Sequence, residues 1–83
     1  MRPEADQYED IRDAVRRLRS LEERIDLQAE QIGQERRAVT VTEIRYETGN
    51  ADTRDLFEAR QGLIDAENAL IRFKVEHFVA RLN

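Results

Sequence analysis

The stretch EIRYETGNADTRDLFEAR, Glu43 to Arg60, decides the fold. It holds the chain's one dense cluster of turn formers, Thr48, Gly49, Asn50, Ala51 and Asp52, between two long segments of nearly uniform character. Gly49 can adopt the left-handed backbone that ends a helix, and Asn50 or Asp52 can cap the next one. Acidic Asp52 and Asp55 suit the positive end of a helix dipole. A loop this short forces the flanking helices to return antiparallel.

Outward from the bend, Ala5 to Glu47 contains no proline and only Gly33 as glycine, and good helix formers dominate. Gly33 inside that segment costs a helix only modestly. Ile11, Leu18, Ile25, Ile32, Val39 and Tyr46 recur every seven residues. Ala14, Val15, Leu21, Ala29 and Thr42 flank that row. Such a repeat marks a helix in a left-handed supercoil and excludes the period of two that a strand needs. The expected architecture is therefore all-α: an antiparallel two-helix coiled-coil hairpin, with helices over about 5–47 and 52–82 and a bend at 48–51. If the bend centres on Gly49, residues equidistant from it share a layer. Val39 then meets Ala59, Ile32 meets Ala66, Ile25 meets Phe73 and Leu18 meets Ala80, mostly large against small.

The return helix carries two apolar seams. One is Leu56, Leu63, Leu70 and His77 beside Ala59, Ala66, Phe73 and Ala80. The other is Phe57, Ile64, Ile71 and Phe78, joined late by Val75 and Leu82. Charged rows divide them: Arg60, Glu67, Lys74 and Arg81 on one side, Glu58, Asp65 and Arg72 on the other. At about 103° per residue the seams lie very roughly 130° apart. A helix on a globule has one stripe. Two seams fit a stave in a helical wall, and a wide apolar arc also fits a plain four-helix bundle. The first helix has one strong seam, so the row Phe57, Ile64, Ile71 and Phe78 is expected to be an oligomer seam covered by another chain.

Composition narrows the function. The chain has 83 residues, 40% apolar and 39% charged, with a formal net charge of −4. Its positive charges are scattered among negative ones, which argues against a nucleic-acid face and against a polybasic membrane anchor. It has no cysteine, and no apolar run approaches the ~20 residues that span a bilayer. Met1 to Asp10 lacks the apolar core of a signal peptide, so in an exported parent this chain is expected to be an internal piece. His77, the single histidine, lacks companions at metal-ligand spacing and is expected to be a partly exposed seam residue. Carboxylate pairs such as Glu22/Asp26 fit ordinary helix-surface pairing. No nucleophile elbow or phosphate-binding glycine loop occurs. No enzyme activity, cofactor or metal is expected.

Arg45 to Leu82, containing RYETGNADTRDLFEARQGLIDAENAL, resembles the periplasmic helical hairpin of the TolC-like outer-membrane efflux proteins. The matching residues are Tyr46 and Gly49 (a Tyr-x-x-Gly bend), Asp55 six positions later, then Leu56, Ala59, Leu63, Ala66 and Leu70 at helical spacing. The resemblance implies that residues 1–83 form one hairpin, a fragment of a larger trimeric channel protein. In that family, hairpins build a periplasmic α-helical tunnel. Its bends form a tip that docks a periplasmic adaptor of a tripartite pump. The implied docking tip is Arg45, Tyr46, Gly49, Asn50, Asp52, Arg54 and Asp55. The implied partners are further copies of the chain and the adaptor protein, with no membrane contact by this segment. The alternatives are a free-standing coiled-coil oligomerisation module and a hairpin of the adaptor itself. For the last, Arg17, Leu18 and Leu21 fit the start of the adaptor tip signature, but Gln28 stands where serine is required.

Overall fold

The protein is described by a computed structural model covering residues 3–82. Met1, Arg2 and Asn83, part of the expected 1–83 hairpin, lie outside the described residues. Two helices account for the fold: α1, Pro3–Glu47, and α2, Thr53–Leu82. They lie antiparallel along a rod of 71 × 15 × 15 Å. At 1.5 Å per residue, α1 alone is about 67 Å long, so the rod is one hairpin wide and one helix long.

The start of α1 is two residues earlier than expected, at Pro3, where a missing N–H costs nothing in a first turn. It runs through Gly33 without interruption. Its end follows from the backbone. Gly49 has φ +81°, the left-handed conformation, and its N–H donates to the Tyr46 carbonyl at 3.1 Å. The carbonyl of Arg45 accepts from the N–H groups of Asn50 at 2.6 Å and Ala51 at 3.1 Å. Carbonyls that a helix end leaves without partners are thus satisfied within the turn.

Of the two caps the sequence offered, the structure uses Asp52. Its Oδ1 accepts from the Asp55 N–H at 2.8 Å, and Asp55 Oδ2 accepts from the Asp52 N–H at 3.1 Å. This is a reciprocal capping box built from two aspartates. It starts α2 at Thr53, one residue later than the earliest expected position.

The helices meet along the expected inner seam. Among the described residues Leu21, Ile32 and Ala66 are the buried ones, and Leu18, Ile25, Val39, Leu56, Leu63, Leu70, Phe73 and Ala80 are half-buried around them. Two cross-helix contacts follow the equidistance rule to within one residue. Glu35, 14 residues before Gly49, lies on Gly62, 13 after it. Glu22, 27 before, reaches His77, 28 after.

Two expected members of the α1 seam, Ile11 and Tyr46, and the flanking Val15 are not covered. Ile11 and Val15 are exposed, because their equidistant positions fall at or beyond the end of α2. Tyr46 is exposed because its equidistant position, Asp52, precedes α2. Of the flanking residues, Ala14 and Ala29 are exposed as well. Leu21 heads the second seam row, followed at seven-residue steps by Gln28, Glu35 and Thr42, all half-buried. Polar residues therefore occupy most of that row. The Thr42 hydroxyl donates to the Ala38 carbonyl at 2.7 Å, and the Gln28 amide donates across to the Ala66 carbonyl at 2.9 Å. Among the described residues no buried side-chain polar atom lacks a partner, which is how these residues are tolerated between helices.

Candidate functional site: an unmatched seam and a polar tip

Two features stand apart from the hairpin's own packing. The first is the outer face of α2. Phe57, Ile64, Ile71, Val75, Phe78 and Leu82 are between 50% and 71% exposed. On a helix of 3.6 residues per turn these positions fall on the side away from α1. All four residues of the expected oligomer seam are thus on one outward stripe of α2. At 1.5 Å per residue the stripe is about 38 Å long. Isolated exposed apolar side chains are ordinary, whereas a row of this length, interrupted only by Gln61 and Asn68, is a candidate interaction surface. Charged side chains border it on both sides, as they border the partner-facing stripe of a coiled-coil helix.

The second feature is the bend. All seven expected docking residues are exposed. Their polar groups divide into two sets. Arg45, Asn50, Asp52 and Asp55 are engaged within the tip. The Arg45 guanidinium donates to the Asn50 carbonyl at 3.2 Å, the Asn50 amide donates to the Thr48 hydroxyl at 3.1 Å, and the aspartates cap α2. Tyr46, Gly49 and Arg54 are exposed. Nothing lies within 4 Å of where a Gly49 side chain would begin. The Arg54 side chain is 84% exposed and pairs with Glu58 at 3.0 Å, one turn along its own helix. Such an exposed i,i+4 pair is weak, so its guanidinium can change partners at little cost.

Between tip and open end, the cross-helix polar contacts are sparse. Arg60 approaches Glu43 at 3.9 Å, and the His77 ring contacts Glu22 at 3.2 Å. His77 is 20% exposed at its side chain, a seam residue with a polar edge. The sequence marked it as such, but the partnership with Glu22 was not foreseen. Gln28 and Glu35 were also missed as seam residues. The signal that could have found them is the seven-residue step Leu21, Gln28, Glu35, Thr42.

Among the described residues, no cluster of His, Asp or Glu is placed to hold a metal ion, and no helix is long and apolar enough to cross a membrane. No protein family, no curated protein and no solved structure matches the chain.

Proposed function

We propose that this chain is a wall element of a helical tunnel: a hairpin of a TolC-like outer-membrane efflux protein on the periplasmic side, with its bend as the docking tip for an adaptor. The observation that carries this reading is the second apolar row of α2, Phe57, Ile64, Ile71 and Phe78, exposed and facing away from α1. A stave needs a neighbour on each flank and water on the remaining faces. The inner seam supplies one neighbour and the outer row takes the other. The Tyr46-x-x-Gly49 bend supports the family assignment, and its exposed Tyr46 and Arg54 are the groups left for a partner's tip.

The experiment uses the 83-residue chain and a hairpin from a periplasmic adaptor, with binding followed by NMR shifts on the labelled chain. Binding should perturb Tyr46, Gly49 and Arg54. Arg54→Glu should weaken it without changing self-association measured by sedimentation. Arg54 is the residue to change rather than Asp55, because Asp55 also caps α2. Self-association without any response to adaptor hairpins would favour the second reading, a free-standing coiled-coil oligomerisation module. That reading has its own support: the side chains of four of the seven tip residues already have hydrogen-bond partners within the bend.

A further inference from the structure

We infer that the end of the hairpin away from the bend carries a binding groove for an alkyl carboxylate, an apolar body with a single negative charge at one end. A hollow of about 430 Å³ lies there between α1 and α2, within the ~300–1,000 Å³ of small-molecule sites. Leu21, Val75, Val79 and Ala80 give it an apolar lining, and Arg17, Ser20 and Arg24 of α1 and Glu76 of α2 give it polar rims. Leu21 is buried, whereas Val75 and Val79 are about half exposed in the hairpin. Two guanidiniums against one carboxylate leave the lining with one positive charge in excess, the complement of a monoanion. Of the outer row of α2 only Val75 takes part. A neighbour seated on Phe57, Ile64 and Ile71 therefore leaves the groove open, and the inference stands apart from the tunnel reading.

The polar residues fix the orientation of the ligand. Arg17, Ser20 and Arg24 follow steps of three and four, so they share one side of α1. The arginines are two turns apart, about 10.5 Å along the axis, with Ser20 between them. All three residues are exposed, and among the described residues no ion pair engages either guanidinium. A carboxylate placed over Ser20 comes within reach of both long side chains, whose forked N–H donors match its two oxygens. Glu76 repels an anionic head on the α2 side. The head therefore sits on α1, and the alkyl body crosses the floor toward Val75, Val79 and Ala80. One exposed ion contact is weak by itself, and so is a shallow apolar lining. Selectivity arises because the groove rewards only a molecule that has both parts.

The test titrates three probes into the isotope-labelled chain and follows its amide NMR shifts. Decanoate, below its micelle concentration, is the full ligand; acetate is the head alone and octanol an uncharged body. Decanoate is expected to give saturating shifts at Ser20, Leu21, Arg24 and Val79, with acetate and octanol at least about tenfold weaker. Arg17→Gln and Arg24→Gln should each weaken decanoate binding about tenfold, and Glu76→Gln should tighten it. All three changes are at exposed residues, and circular dichroism confirms that helicity is kept. Octanol binding as tightly as decanoate would reduce the groove to a plain apolar patch and overturn the inference. So would decanoate binding that Arg17→Gln and Arg24→Gln leave unchanged, shifts centred on Phe57 and Ile64, or no saturation at all. None of these results bears on docking at the tip, so this inference and the tunnel reading fail separately.

Discussion

The carboxylate of Glu35 fills the hollow left by the absent side chain of Gly62: its Oε2 lies 2.9 Å from the point where a Cβ on Gly62 would sit. The Gln31 amide donates to the other carboxylate oxygen at 2.9 Å and holds it in place. A charged residue thus lies against the facing helix without being sealed from water, since Glu35 is only half-buried. Gly62→Ala brings two opposing effects. Alanine favours a helix interior by about 0.5–1 kcal/mol over glycine, and the atom it meets is the far end of a flexible side chain. The expected net effect is a small gain, below about 1 kcal/mol, with Glu35 swung outward. At Gly33 the nearest side-chain atom is the Arg37 guanidinium at 3.7 Å, an ordinary contact, so Gly33→Ala should gain the full amount. Thermal unfolding of both variants checks the order; a loss at Gly33 would contradict it.

Gly49 is the opposite case. Space is open around it, but its φ of +81° strains any residue with a Cβ. Gly49→Ala should cost about 1–2 kcal/mol, seen as a lowered melting temperature with self-association otherwise intact. An unchanged midpoint would mean that the bend relaxes to another turn.

The two aspartates of the capping box should be unequal. Asp52→Ala removes the side chain that receives the Asp55 N–H and is expected to cost about 1 kcal/mol. Asp55→Glu keeps a carboxylate at the position where capping boxes ordinarily carry Glu, and should be close to neutral. Helicity and urea midpoints of the pair provide the measurement.

Leu21 and Ile32, each 6% exposed, are two of the three buried residues among those described. Truncating either to alanine should cost about 2–4 kcal/mol. A domain of this size holds little reserve, so either variant is expected to be largely unfolded when dilute and to regain helicity as its concentration rises. Circular dichroism across a dilution series would show this, and a concentration-independent signal would mean that association adds nothing to stability.

Much of the fold was legible because it depends on local rules: a glycine with turn formers on either side, an unbroken run of helix formers, and a row of aliphatics from Leu18 to Val39. The outer row of α2 was legible for the same reason. What escaped was set by the facing helix. Gln28 and Glu35 look like solvent residues in a list of hydrophobicities. They become seam residues only because Ala66 offers a carbonyl and Gly62 offers room. Likewise Ile11 and Val15 carry the right periodicity but have no α2 opposite them. At the tip, the charge cluster was plain in the sequence. How much of it the bend itself consumes depended on hydrogen bonds that composition does not specify.

The half-polar second row of α1 makes the hairpin intolerant of slippage. Sliding α2 by seven residues would leave one aliphatic row facing another, and greasy contacts alone would scarcely notice. The Glu35 carboxylate, however, would land on the methyl group of Ala69 or beside the like charge of Asp55. One alignment out of several similar ones is thereby singled out, by a fit of Glu35 to Gly62 that adds little adhesion of its own.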